Sequence, residues 1–225
     1  MTTFTLLGGK LILHESDPRP TEDPLWLATT IPALPRGAQV LDAGCGSGVA
    51  GLALLLRQPG LHLTALDIDA SLTTLAARNA TLNNLRLTPH PADILAHPKI
   101  GPFDAILCNP PYHAQEHGHT TANPQKSLAH SLPAGHFPLW LAALVKLLKP
   151  TGSLYLIAHA TYQADLLTFA PANGYSLTLT SLQTSASRPP KRLLAHLEPS
   201  LLPQTYHNPP LAAYNPTLRL HHLGS

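Results

Sequence analysis

The chain has 225 residues, 44% of them apolar and only 12% charged, with a formal net charge of +2, which suits one globular domain. No apolar run is long enough to span a bilayer and no basic-then-apolar leader opens the chain, so a cytoplasmic protein is expected. Cys45 and Cys108 are too few for a disulfide framework and lack metal-ligand spacing. The net charge hides an asymmetry: residues 1–119 hold 7 Lys and Arg against 10 Asp and Glu, while residues 120–225 hold 7 against 2. A later half of about +5 hints at an anionic partner.

Residues 8–14 read as a turn leading into a short extended segment. Asp17-Pro18-Arg19-Pro20 is irregular, because each proline pushes its predecessor away from helix. A helix then opens, with Asp23 as its cap and Pro24 in its first turn, and Pro32 and Pro35 end it. From Gln39 the chain alternates in type. Strands are expected at 40–43, 61–66, 85–88 and 103–108, and helices at 49–57 and 71–83. Residues 113–136 form a loop rich in Gly, Pro and His, with room for a short helix near 125–130. A helix at 139–148 is stopped by Lys149-Pro150-Thr151-Gly152. Strands at 153–159, 175–182 and 191–197 follow, with a helix at 163–169. The tail from Pro199 carries Pro203, Pro209, Pro210 and Pro216 and reads as irregular, with one extended piece near 217–221. Strands alternating with helices of about ten residues imply an α/β fold, a mostly parallel, doubly wound seven-stranded sheet with helices on both faces.

Asp42-Ala43-Gly44-Cys45-Gly46-Ser47-Gly48 joins the first of these strands to its helix. Gly44, Gly46 and Gly48 let backbone approach a ligand closely, and the helix start that follows favours polar or anionic groups. The spacing is not that of the dinucleotide loop, whose third glycine would stand at Val49. Asp42 precedes the first glycine, where a pyrophosphate would be repelled and an ammonium group held. Asp67 ends the next strand, the place from which a carboxylate holds ribose hydroxyls. Asp69 reads as a helix start. Asp93 follows the third strand and suits either a cap or an acceptor for an adenine amino group. Together these residues describe a pocket for amino acid, ribose and adenine, which is S-adenosylmethionine.

The fourth strand ends abruptly in Asn109-Pro110-Pro111-Tyr112. The prolines stiffen the turn, the amide offers one acceptor and two donors, and the ring offers a stacking face. Asp-x-Gly-x-Gly-x-Gly with Asn-Pro-Pro-Tyr resembles the class I, Rossmann-like amino-methyltransferases that act on adenine N6, guanine N2 or a glutamine amide. The stretches 19–28, 188–194 and 214–216 look like segments of the tRNA1(Val) adenine-37 N6-methyltransferase family, although Glu15 stands where relatives tend to carry glutamine and the C-terminal acid is missing. The resemblance implies one methyltransferase domain: a covering segment over 1–36, a Rossmann-like core over 37–198 and a tail over 199–225.

It also implies roles. Asn109 and Pro110 accept the protons of the acceptor amine, Asn109 borders the cofactor as well, and Tyr112 stacks on the base. By their charge, Arg188, Lys191 and Arg192, with Lys126 and Arg219, are candidate phosphate contacts that with Arg19 form a rim for an RNA stem-loop, and His113 is a candidate for the pocket mouth. The expected acceptor is adenine N6 in a tRNA; rRNA guanine N2, a protein glutamine and a non-catalytic RNA-binding adaptor are the alternatives. His113, Glu116, His117 and His119 lack helical metal-ligand spacing, so no metal is expected. Ser47 lacks the glycines of a nucleophile elbow, since Cys45 and Val49 flank it. The sequence leaves monomer and homodimer open.

Overall fold

Alternate residues of the central strands face opposite ways, and the sequence fills both sides with apolar groups. In the computed structural model, which describes residues 2–15, 20–110, 135–183, 185 and 187–213, this pattern divides the interior into two main cores, beside a small cluster of Cys45, Ala65 and Ala76. Val40, Leu63, Ala105, Leu107, Tyr155 and Ile157 join one; Leu41, Leu66, Ile106, Cys108, Leu154 and Leu156 join the other.

The strands that carry them are β3 (Gln39–Ala43), β4 (His62–Asp67), β6 (Phe103–Cys108) and β7 (Leu148–His159), which run parallel to one another and to the exposed edge strand β5 (Thr88–Pro91). β9 (Arg192–Pro199) runs antiparallel between β7 and β8 (Tyr175–Gln183), and β10 (Thr205–Ala212) lies parallel to β8 at the edge. The order across the sheet is β10-β8-β9-β7-β6-β3-β4-β5. Helices α1 (Asp23–Thr30), α2 (Val49–Arg57) and α3 (Ala70–Leu82) contribute to the first core, and α4 (His136–Val145) and α5 (Gln163–Ala172) to the second. A separate antiparallel hairpin, β1 (Thr3–Leu6) and β2 (Leu11–His14), packs Leu11 and Leu13 into the first core.

The doubly wound α/β fold is as expected, with an eighth strand. The tail was expected to be irregular because of its prolines, yet Pro209 and Pro210 lie within β10. β10 pairs only with β8, so a missing N–H on its outer side costs no ladder bond, and the register breaks between Asn208 and Leu211, where the prolines stand. The same logic moves the third strand from 85–88 to Thr88–Pro91, where Pro89 and Pro91 sit on the other edge. α4 ends at Val145, earlier than expected. Lys149 to Gly152 instead loop out of β7 between the pairs Phe103↔Leu148 and Ala105↔Ser153, with Lys149 bridging to Asp104 at 2.8 Å. Asp23 does not cap α1. It is the first helical residue, and its carboxylate pairs with Arg192 at the start of β9. The extended piece expected at 217–221 lies outside the described residues. Among the described residues, no helix is long and apolar enough to cross a membrane.

This winding fixes where a ligand can bind. β3, β4 and β5 step toward one edge, and the chain then returns to place β6 on the other side of β3. Loops after β3 and β6 therefore diverge, and the crevice between them is the place where open α/β sheets take ligands.

Candidate active site

Because the strands are parallel and in register, their carboxyl ends share one edge. Ala43 pairs with Leu66 and Cys108, and Asp67 pairs with Pro91. The edge therefore presents, in spatial order, Asn109 after β6, the glycine loop after β3, Asp67 at the end of β4 and Asp93 just beyond β5. Pro110 is buried beside Asn109.

The glycine loop folds over the end of β4. Gly44 and Cys45 donate their N–H groups to the Leu66 carbonyl at 2.8 and 2.9 Å, and Gly46 donates to Asp67 Oδ2 at 2.9 Å. Gly44, Gly46 and Gly48 have φ of 73°, 53° and 86°, the left-handed region that a side chain would strain. A Cβ at Gly46 would meet nothing within 4 Å, and one at Gly44 would meet only the tip of Trp140, at 3.4 Å. Gly44 and Gly46 thus present bare backbone to open space, whereas a Cβ at Gly48 would stand 3.0 Å from Ala76 Cβ, so that glycine serves the packing of the loop on α3.

Beneath it lie two buried carboxylates. Asp42 accepts from Gly51 N–H at 2.9 Å, inside the first turn of α2. Burial pushes its carboxyl up to about 7; the bond from Gly51 opposes this and the nearby charge of Asp67 adds to it. Burial also raises the Asp67 carboxyl, against bonds from the N–H groups of Asp69 and Gly46. Both thiols are buried, and burial with the negative charge of Asp42 holds them well above the usual thiol range, so neither is a nucleophile at neutral pH.

A family model described as "Methyltransferase small domain" matches residues 25–168. The chain belongs to that family. It is 32% identical over 172 residues to a Vibrio cholerae protein named tRNA1(Val) (adenine(37)-N6)-methyltransferase, covering 74% of this chain and 70% of the relative. A Hahella chejuensis protein named ribosomal RNA small subunit methyltransferase C is 34% identical over 133 residues, but these span 59% of this chain and 34% of the relative. Among solved structures, the Agrobacterium tumefaciens protein Atu636, described as a predicted O-methyltransferase, superposes with a TM-score of 0.70 at 19% identity, covering 90% of this chain and 96% of that one. A T. thermophilus 16S rRNA N2 methyltransferase solved with AdoMet and guanosine gives 0.60 at 18% identity, covering 88% of this chain and 50% of that one. These two likenesses show the class I methyltransferase fold.

The enzyme is accordingly an S-adenosylmethionine-dependent methyltransferase, and the site suits that cofactor. The bare glycine backbone leaves room for close approach, and a buried acid whose ionisation is resisted gains most from a cation such as an ammonium group. Each Asp67 oxygen takes a backbone N–H bond, from Gly46 and from Asp69, and a carboxylate offers about four lone-pair sites, so capacity remains for hydroxyl donors.

The other expected site residues fall into three groups. Asp93 accepts from Leu95 N–H at 2.9 Å and so caps a short 3-10 turn, Ile94–Ala96, while staying at the edge that the other acids share. Asp69 caps α3 by accepting from Ser71 N–H at 2.8 Å, as expected. Arg188 and Lys191 are exposed in the connection from β8 to β9. Because Arg192 pairs with both His159 and Leu182, that connection lies at the same carboxyl edge as the glycine loop. Arg192 itself is committed: its Nε donates to Asp23 Oδ2 at 2.7 Å, with the carboxylate largely buried, so it ties β9 to α1. Arg19, Tyr112, His113, Lys126 and Arg219 lie outside the described residues.

Two residues of the site escape sequence reasoning. Ile68 follows Asp67 and is 61% exposed, an apolar side chain left on the edge. Gly51 is the second; its signal is a lone glycine in an Ala- and Leu-rich helix. A Cβ there would stand 2.6 Å from Leu63 Cδ2 and 2.9 Å from Asp42 Oδ2, so only glycine lets α2 close over the acid. Gly51→Ala should lower unfolding free energy by about 1–3 kcal/mol in a denaturant titration, despite the better helix propensity of alanine.

Proposed function

We propose that this enzyme transfers a methyl group to the exocyclic amine of a nucleobase in RNA, with adenine N6 of a tRNA as the acceptor, in the cytoplasm. The observation that carries the reading is the placement of Asn109-Pro110 one strand away from the glycine loop, across the crevice where the sheet changes direction. The Vibrio relative supports the choice of acceptor, because the likeness runs over most of both chains.

An exocyclic amine is a poor nucleophile, since its lone pair is delocalised into the ring. Asn109 Oδ1 and the Pro110 carbonyl accept hydrogen bonds from its two N–H groups and draw the nitrogen toward tetrahedral geometry, which frees the lone pair; the one proton lost on methylation passes to solvent. S-adenosylmethionine supplies, when bound, a methyl group on a sulfonium. Asp42 and the glycine loop hold its amino-acid end, Asp67 its ribose, and Asp93 and Ile68 the adenine. The chain's contribution is orientation and electrostatics, with no covalent intermediate on a side chain. Tyr112 stacks on a base taken out of its own stack, a contact worth about 1–3 kcal/mol.

Methyl-labelled cofactor incubated with total tRNA, rRNA and cell protein should place label in tRNA. Label in rRNA would favour the guanine N2 reading, which the Hahella relative suggests over a shorter match. Label confined to protein would overturn both. Arg188 and Lys191 form a phosphate-facing rim. Reversing both charges should weaken tRNA binding and reduce the slope of log K against log salt by about 1–2 in a filter-binding series; an unchanged slope would leave them as solvated side chains.

A further inference from the structure

The glycine loop has almost no side chains to hold its shape, so it depends on bonds to its backbone. Asp67 takes Gly46 N–H and the Cys45 carbonyl takes Gly48 N–H. The carbonyl of Ser47, between two left-handed glycines, is held from α3: Asn79 Nδ2 donates to it at 2.9 Å. Asn79 is wholly buried, and the other end of its amide reaches a different element, with Oδ1 accepting from His14 N–H at 2.9 Å.

Four residues along, Asn83 accepts from Ile12 N–H at 2.8 Å and donates to the Ile12 carbonyl at 2.6 Å. Residues four apart rise about 6 Å along a helix, and residues two apart about 6.8 Å along a strand. The two asparagines therefore stand in for a partner strand along the outer edge of β2. Asn83 clamps the hairpin and also donates to the Asn79 backbone carbonyl at 2.7 Å, but does not touch the loop, whereas the Asn79 side chain bridges hairpin and loop.

We infer that Asn79 is a positioning residue for methyl transfer, whose buried amide sets the shape of the glycine loop and locks it to the N-terminal hairpin. The inference rests on reading that loop as the S-adenosylmethionine cradle. A helix residue about thirty positions downstream of the loop thus makes cofactor binding depend on the first fourteen residues of the chain.

Calorimetric titration of full-length variants with S-adenosylmethionine, well below their melting temperatures, tests this. Asn79→Ala should raise Kd about tenfold, since it strips a buried carbonyl of its donor, while kcat at saturating cofactor changes little. Asn79→Asp, equal in size, keeps the acceptor for His14 but sets an oxygen against the Ser47 carbonyl, and should raise Kd at least as much. His14→Pro removes the N–H that Asn79 accepts and that β1 does not use, together with the imidazole, and should raise Kd about three- to tenfold; it carries the test if Asn79→Ala fails to fold. Asn83→Ala should lower Tm yet leave Kd within about twofold. Unchanged Kd in the Asn79 and His14 variants, or an equal rise in Asn83→Ala, would overturn the inference. Asp67→Ala separates the two levels. If it alone loses cofactor affinity, the positioning role of Asn79 falls and the cradle stands; if it too binds normally, the cradle reading falls with it.

Discussion

Asn109→Ala should cut methyl transfer about 100- to 1,000-fold at saturating cofactor while leaving S-adenosylmethionine affinity within a few-fold. The effect is large because the amide acts on the nitrogen at which charge develops, in a crevice with a buried floor. Asn109 stands between two buried residues, Cys108 and Pro110, so packing fixes its place at the end of β6. The rest of the cofactor half stands on other strands, so losing the one contact from Asn109 changes affinity only a few-fold. Single-turnover transfer and calorimetry on the same preparation read the two halves separately. Near-normal turnover in this variant would remove Asn109 from the chemistry.

The second large effect concerns Asp42 and depends on pH. Its folded pKa is raised from 3.8 to about 7, so the folded state holds the proton more tightly than the unfolded chain does. The free enzyme therefore loses stability as pH rises from about 4 to 7 and loses no more above that. Asp42→Asn, which keeps an acceptor for Gly51 N–H, should raise Tm on the order of 5 °C at pH 8 and leave it nearly unchanged at pH 4. Cofactor binding runs the other way. A cation beside Asp42 favours the ionised acid, so S-adenosylmethionine should bind about tenfold more weakly at pH 6 than at pH 8. The same Asn variant should bind weakly at both and show a flattened profile. A more stable protein that binds its cofactor worse is the result expected of a site acid, whereas a purely structural acid would give no change in affinity.

The carboxyl-edge residues were legible in the sequence because each ends a short apolar strand: Asp42 and the glycines after the first, Asp67 after the second, Asn109 after the fourth. Periodicity places such ends, and a parallel sheet gathers them at one edge. The bonds that hold the site together were not legible. Asp67 fastens Gly46, Asn79 joins Ser47 to His14, and Arg192 joins Asp23 across 169 positions, and none of these pairings leaves a local pattern. Gly51 could have been read as an oddity within its helix, but the acid it clears became visible only once β3 and α2 were packed. β10 was missed for the opposite reason: prolines that ordinarily argue against a strand are tolerated on an outer edge.

The position of the transferred methyl tests the account most directly. Unmodified tRNA would be incubated with the enzyme and methyl-labelled cofactor, digested to nucleosides and resolved by mass spectrometry. The account predicts label on an exocyclic nitrogen, as N6-methyladenosine, formed about 100- to 1,000-fold more slowly by the Asn109→Ala enzyme. A methyl on a ribose oxygen or a ring carbon, or one formed at a near-normal rate without Asn109, would contradict it.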